Sequence, residues 1–312
     1  WYGMFDRAAA AQLASLLLLF ALGLLALERG LRGRARFVQS QRRGPAPEPQ
    51  ALAGWRAWSA TAACATVLAF AFVLPVAQLL VWARDAVATL RAPAFAALLR
   101  NTLTLAALAA LAAAALALVL AYAARLPPSA AVRLSARSAS MGYALPGAVI
   151  AAGVLAPMAW LDHLLAGATA WVLGRPAGLL LTGSAAGLLF AYVARFLSVS
   201  FQTIEASLGK IPPSMDDVAR SLGASAGGTL GRVHLPLLRG GLLTACVLVF
   251  VETMKEMPAT LLLRPLGLET LAIAVWERTS ESMWADAALP ALAIVAAGLG
   301  PVFLAIRLSG RR

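Results

Sequence analysis

The sequence predicts an all-α, polytopic membrane protein with about seven transmembrane helices. Of its 312 residues, 61% are hydrophobic and only 13% are charged. Polar side chains are therefore too few to cover the surface of a water-soluble domain. The apolar residues also occur in seven long runs, each close to or above the roughly 20 residues that a helix needs to cross a bilayer.

Six of the runs contain no charged residue, namely 8–27, 57–83, 101–124, 138–161, 176–194 and 287–306. The seventh run, 240–263, is apolar except for Glu252, Lys255 and Glu256. The first run is followed directly by Glu28 and Arg29 without a small-residue cleavage pattern. We therefore interpret it as a membrane span and not as a signal peptide.

The distribution of basic residues predicts the orientation of the spans. One set of loops holds 18 of the 26 Lys and Arg residues, and it consists of 28–56, 125–137, 195–239 and 307–312. The other set holds seven, and it consists of the first residues, 84–100, 162–175 and 264–286. Because cytoplasmic loops carry the excess of Lys and Arg, we expect a periplasmic N-terminus and a cytoplasmic C-terminus in a bacterial inner membrane. The basic residues form no stripe with aromatic residues, which argues against nucleic acid as a partner.

The chain divides at residues 29–54, which are basic and then Pro-rich and predict a cytoplasmic linker. The segment 4–20 before this linker resembles 283–299, since Met, an aromatic residue, an acid, Ala-Ala and Leu-Ala recur in the same order. We interpret 1–28 as the last transmembrane helix of a preceding, missing unit. Residues 55–312 are the predicted six-helix domain.

The residues that usually carry chemistry are sparse. Cys64 and Cys246 form no CxxC pair, and His163 and His234 lie far apart in predicted loops, so no metal site or cofactor is expected. No G-x-x-x-x-G-K-[ST] nucleotide-binding loop occurs. A membrane enzyme would need several converging polar groups, and only Glu252 and Glu256 are candidates.

The loop at about 205–238 contains a predicted short amphipathic helix. Pro212 and Pro213 interrupt any longer helix, Ser214 is the predicted N-cap, and Asp217 is its capping-box partner. Gly223 is predicted to end the helix in the left-handed conformation. The two faces are an apolar stripe of Met215, Val218, Ala219 and Leu222 and a polar face of Asp216, Asp217, Arg220 and Ser221. A helix of this kind can also lie on the membrane surface.

The same loop resembles a known motif. Its pattern is Asp217-Val218-Ala219, three residues, Gly223, nine residues, and then Val233, one residue, Leu235 and Pro236. This is similar to the Glu-Ala-Ala loop of ABC importer permeases, which reads Glu-Ala-Ala-x3-Gly-x9-Ile-x-Leu-Pro. Asp replaces Glu, Val replaces Ala and Ile, and Gly227-Gly228 replaces bulkier residues, which predicts a loose second short helix. The segments 250–267 and 288–295 resemble the iron(III)-type branch.

The resemblance implies a type I importer permease unit that is embedded in membrane lipid. Three kinds of protein partner are expected to bind it: a cytoplasmic ABC ATPase dimer, a periplasmic solute-binding protein, and a second permease half that is fused or separate. It assigns ATPase docking to Asp217, Ala219 and Gly223, with Asp216, Leu222, Ala224, Ser225, Leu235 and Pro236 around them. ATP hydrolysis is then the task of the separate ATPase. The expected cargo is ferric iron, with polyamine, phosphonate, thiamine, sulfate and molybdate as alternatives.

The three charges of the seventh run have two interpretations. Inside a span each would cost about 2.5–3.5 kcal/mol on insertion scales. Glu252, Lys255 and Glu256 either neutralise one another near a helix end or a break at Pro258, or they lie beside the translocation pathway. We do not predict a metal site from them. An ion-coupled carrier that uses no ATP is the remaining alternative, although such a carrier has no reason to keep the 217–236 spacing.

Overall fold

A computed structural model describes residues 51–87, 92–126, 129–173 and 179–309, together with separate helical positions between 12 and 30. Regular structure in the four long ranges is entirely helical. The long helices are α1 (Trp55–Val87), α2 (Ala92–Arg125), α4 (Gly147–Leu173), α5 (Ala185–Leu208), α7 (Ala226–Met254) and α10 (Trp284–Ser309). The short helices are α3 (Ala130–Ala139), α6 (Pro213–Ser221), α8 (Pro258–Leu263) and α9 (Leu271–Ser280).

The six long helices are each long and apolar enough to cross a membrane. They confirm the all-α, multi-span fold class for the described part of the chain. The predicted first span, 8–27, lies outside the described residues apart from scattered helical positions, and so does the predicted linker 29–54 apart from its last four residues.

The core consists of α2, α5 and α7, which pack against one another along most of their lengths. The face of α2 toward this core is a stripe of small side chains, namely Ala106, Ala109, Ala110, Ala113, Ala114, Ala117 and Ala121, all buried. Small residues let membrane helices approach closely without a void. The larger buried side chains come from the facing helices, among them Tyr192, Phe196, Phe201 and Leu238. At the periphery, α10 packs against α1 and α9.

Two long helices contain a π-helical turn at the same local sequence. In α1 the turn Ala69–Val73 comes directly before Leu74-Pro75, and in α7 the turn Leu230–His234 comes directly before Leu235-Pro236. Proline donates no backbone hydrogen bond and its ring crowds the preceding turn. A wider turn accommodates the proline without ending the helix.

Three spans are displaced at both ends from their predicted positions, and the predicted span 101–124 begins earlier, at Ala92, so that Arg100 lies inside α2. The predicted span 138–161 is the helix Gly147–Leu173, and the predicted span 176–194 is Ala185–Leu208. Each prediction stopped at a charge, Asp162 or Arg195, that the structure accommodates inside the helix. The predicted span 240–263 is Ala226–Met254, because the helix begins earlier and Pro258 starts a separate helix.

Asp162 remains inside α4 because its carboxylate is fully satisfied. The side chain is buried and accepts hydrogen bonds from the backbone N–H groups of Leu180, Leu181 and Thr182 at 3.0, 2.8 and 2.7 Å. A buried carboxylate is tolerated when donors of this kind surround it. Asp162 thereby holds the segment that leads into α5. His163, predicted in a loop, also lies within α4.

Candidate functional site

The α6 helix begins at Pro213, with Pro212 as its N-cap and without a side-chain capping bond. The predicted N-cap at Ser214 and the predicted capping box with Asp217 are therefore wrong. Proline at the first helical position already has the required φ and lacks an N–H that would need a partner. The helix starts there, and Ser214 falls inside its first turn.

The α6 helix ends as predicted at Gly223, whose φ is 79°. The Gly223 N–H donates to the Arg220 C=O at 2.9 Å, and the Ala224 N–H donates to the Ala219 C=O at 2.9 Å. This pair of bonds is a Schellman motif. A Cβ at Gly223 would meet no neighbouring atom within 4 Å. Glycine is therefore favoured by the left-handed backbone and not by lack of space.

The predicted apolar stripe of α6 separates into two parts. Ala219 is buried, while Met215, Val218 and Leu222 are exposed, Leu222 to 81%. We call these three side chains the outer face of α6. An apolar face of this size on a helix of nine residues indicates that a partner or the membrane covers it.

The sequence predicts Asp216 on an exposed polar face of α6, but in the structure its side chain points inward. Its carboxylate lies 2.8 Å from the Arg125 guanidinium and 2.5 Å from His234 Nε2, and its side chain is 23% exposed. Burial by itself raises the pKa of Asp216, but hydrogen bonds from Arg125 and His234 outweigh it and hold the pKa below its ordinary value. Asp217, by contrast, is 67% exposed and pairs with Arg220 at 2.6 Å.

Sequence reasoning missed the partners of Asp216. Arg125 counted only as a loop charge, and His234 was predicted in a loop, whereas it is fully buried in the π turn of α7. Arg125 and Asp216 are 91 positions apart, and His234 is 18 positions from Asp216. Neither separation follows a helical or strand period, so no local pattern could have paired them.

The other predicted docking residues follow α6 directly. Ala224 continues the chain to Ser225, whose side chain caps α7 by accepting the Gly228 N–H at 3.2 Å. Gly227-Gly228 lies in the first turn of α7 and not in a separate helix. Leu235 and Pro236 lie further along α7, after its π turn.

The charges of the seventh run lie where α7 ends. Glu252 pairs with Lys255 at 2.8 Å and accepts a hydrogen bond from the Tyr143 hydroxyl at 3.2 Å. Glu256 pairs instead with Arg195 at 2.6 Å and also accepts the Ala259 N–H at 3.1 Å. The side chain of Glu256 is 6% exposed, whereas that of Lys255 is 55% exposed.

These five side chains form what we call the polar cluster: Tyr143, Arg195, Glu252, Lys255 and Glu256. Arg195 lies near the middle of α5, so the cluster lies at mid-length of a candidate span. Gly147, the first residue of α4, is in contact with the buried pair, since a Cβ there would overlap both the Arg195 guanidinium and the Glu256 carboxylate. The polar cluster carries no net charge, because the charges of Arg195 and Lys255 balance those of Glu252 and Glu256.

No group of three or more His, Cys, Asp or Glu side chains in the described ranges could hold a metal ion. The carboxylates of the polar cluster are bonded to Arg195, Lys255 and Tyr143.

No protein-family model matches the sequence, but curated proteins do. The chain is 38% identical over 117 residues to an Fe(3+)-transport system permease protein of Haemophilus influenzae, covering 38% of this chain and 23% of that protein. It is 32% identical over 108 residues to a permease protein ascribed to 2-aminoethylphosphonate transport in Salmonella typhimurium, covering 35% and 41%. It is 35% identical over 136 residues to a protein of Haloferax volcanii ascribed to molybdenum ABC transport, covering 42% and 49%. The matched part thus spans less than half of each relative.

A solved structure shares the fold. One chain of a bacterial alginate ABC transporter, crystallised in complex with a periplasmic protein bound to an alginate pentasaccharide, superimposes with a TM-score of 0.64. The match covers 82% of this chain and 94% of that chain at 15% identity. It therefore supports the architecture of the six long helices and says nothing of the solute.

Proposed function

We propose that the chain is an ABC importer permease that forms half of the transmembrane pathway of an ATP-driven importer, since its curated relatives are transport permeases and its fold matches a chain of an ABC transporter. In this proposal the α6 end of the molecule is cytoplasmic and binds an ABC ATPase, while a periplasmic solute-binding protein delivers a small solute at the opposite end. A second permease half completes the pathway. The observation that carries the proposal is the exposed outer face of α6.

The outer face of α6 has the properties of a docking surface. It is apolar, it projects from the helical core, and the Schellman motif at Gly223 gives the helix a defined end. When a partner covers exposed apolar area, the complex is stabilised by about 25 cal/mol per Å² of area buried. A short helix held in a socket of the ATPase converts closure of the ATPase dimer into movement of the spans.

Removal of the apolar contact tests the docking proposal. We expect the ATPase to co-purify from native membranes with the whole gene product that contains this chain, and to be lost from Leu222→Glu, since a carboxylate would be buried in the socket without a partner. The matched control is Leu134→Glu, because Leu134 is also an exposed leucine, on α3.

Three outcomes are informative. Loss of the ATPase from Leu222→Glu and its retention by Leu134→Glu support docking at α6. Equal binding by all three proteins shows that the ATPase docks elsewhere. Absence of an ATPase from the native chain rejects the importer and favours either a membrane-surface role for α6 or the ion-coupled carrier.

For the translocation pathway we propose the accessible part of the polar cluster. Tyr143 and Lys255 are exposed and Glu252 lies between them, so these side chains can meet a solute. We leave out Glu256, which the sequence also predicts beside the pathway, because its bonds to Arg195 and to the Ala259 N–H make it a brace between α5 and the start of α8. Intramembrane charges commonly mark such pathways.

The charge of the cargo can be tested by changing the charge of the polar cluster. Our best proposal is ferric iron, with a phosphonate or molybdate as alternatives. Glu252→Gln leaves Lys255 unpaired and adds a positive charge, which should slow uptake of a cation about tenfold, or about 1.4 kcal/mol in the barrier. Lys255→Gln should instead slow uptake of an anion.

The measurement is uptake of ferric iron, 2-aminoethylphosphonate and molybdate by vesicles that contain the assembled transporter. We expect one of the three solutes to be taken up. If it is a cation, Glu252→Gln should slow its uptake, and if it is an anion, Lys255→Gln should slow it. If the two variants change uptake equally, or not at all, the cluster does not line the pathway.

A further inference from the structure

We propose that Arg125, Asp216 and His234 form a joint through which α6 moves the helical core, so that they act as positioning residues for coupling. The proposal rests on the proposed function, because it concerns how the motion of a docked ATPase reaches the spans. It goes beyond docking, since none of the three side chains belongs to the outer face of α6.

The joint is the principal polar attachment of α6 to the core. Within α6, Ala219 is the one buried residue, and its contact is apolar and small. Asp216 supplies bonds in two directions, to Arg125 on α2 and to His234 on α7. A helix attached in this way cannot move without pulling on both core helices.

Arg125 connects a third helix to the same point. Its guanidinium donates to the Leu208 C=O at the end of α5 at 2.7 Å and to the Ile211 C=O at 2.9 Å, in addition to Asp216. The planar fork of arginine can serve these acceptors together, whereas a lysine ammonium is a single point charge. One side chain therefore ties α2, the end of α5 and α6 into one unit.

His234 brings α7 into the joint. The ring is fully buried, and the π turn of α7 places it against Asp216. Because an ionised carboxylate can only accept, His234 Nε2 carries the proton of this bond. Tyr122 of α2 completes the contact, since its ring lies 5.4 Å from the His234 ring and its hydroxyl donates to the Ala226 C=O at 2.8 Å.

The α2 helix carries the joint to the other end of the molecule. It has 34 residues, about 50 Å at 1.5 Å per residue. About 35 Å along the helix from Arg125, Asn101 donates to the Glu269 C=O at 3.0 Å, and Thr102 accepts the Leu271 N–H at 2.9 Å. These bonds hold the start of α9. A rigid helix that is bonded at Arg125 and again at Asn101 and Thr102 delivers a displacement of α6 to α9.

The test measures coupling in the complete transporter, reconstituted with its ATPase and binding protein in liposomes. For Asp216→Asn we expect the ATPase to remain bound and to hydrolyse ATP, while the solute moved per ATP falls at least about tenfold. Thr102→Val, an isosteric change that removes the bond between α2 and the start of α9, should lower the same ratio. Asp216→Glu keeps the carboxylate and should restore part of it.

The control is Arg137→Ala, which removes an exposed guanidinium from α3 without touching the joint; we expect the native ratio. A native ratio in Asp216→Asn would overturn the joint, and a native ratio in Thr102→Val would overturn transmission along α2. A parallel loss of hydrolysis and transport in both variants would also overturn the proposal, since it marks a purely structural role. If the native chain binds no ATPase, the proposed function itself fails.

Discussion

Replacement of Glu256 with alanine is expected to lower the free energy of unfolding by about 3–5 kcal/mol, because it would leave the charge of Arg195 buried without a partner. The two side chains are 6% and 18% exposed and their charged atoms are 2.6 Å apart. The Ala259 N–H at the start of α8 would lose its acceptor as well.

Two variants make this expectation specific to the buried pair. Glu252→Ala also removes a carboxylate, but its partner Lys255 is 55% exposed and can be solvated, so we expect a loss of at most about 1 kcal/mol. Replacing both members of the buried pair, as in Arg195→Met with Glu256→Leu, should recover most of the stability, because apolar residues can replace a buried ion pair at little cost.

The measurement is thermal and denaturant unfolding of the purified protein in detergent, followed by tryptophan fluorescence. If Glu256→Ala is no less stable than Glu252→Ala, the Arg195–Glu256 bond does not brace α5 against α8. The double variant separates the loss of a partner from a general intolerance of substitution at these positions.

Gly147→Ala is expected to destabilise the protein by roughly 1–3 kcal/mol, the range of ordinary overpacking. A Cβ at this position would overlap the Arg195 guanidinium and the Glu256 carboxylate, so the methyl group must displace a buried ion pair. Since alanine favours helices by up to about 1 kcal/mol over glycine, the direction of the expected change is opposite to that of helix propensity.

Gly153→Ala is the matched control on the same helix. A Cβ at Gly153 would meet no atom within 4 Å, and we therefore expect a small gain in stability from helix propensity. Unfolding in detergent compares the two variants directly. Equal effects of the two alanines would mean that Gly147 does not determine the approach of α4 to the pair.

The ends of the helices depend most strongly on contacts that a local pattern does not contain. Hydropathy placed six helices within the described part of the chain, but it ended one predicted span before Asp162 and another before Arg195. A hydropathy pattern treats every charge as solvated. It cannot anticipate that three backbone N–H groups satisfy Asp162 or that Glu256 neutralises Arg195.

The α6 helix shows the same division on a smaller scale. Its existence and its end at Gly223 followed from local chemistry, because proline and glycine restrict their own backbones. The direction of Asp216 did not follow, since a helical pattern cannot show that Arg125 and His234 are on the inner side. The π turn that places His234 was likewise not anticipated.

The fold class, the approximate positions of six apolar helices, the short amphipathic helix and its glycine end could all be predicted from local sequence patterns. Each of these depends on interactions within about one or two helical turns. The pairing of the charges, the exact ends of the spans and the link from Asp216 to the core became visible only in the packed structure. Those features depend on partners far apart in the sequence, and burial and charge can be evaluated only once the helices are packed together.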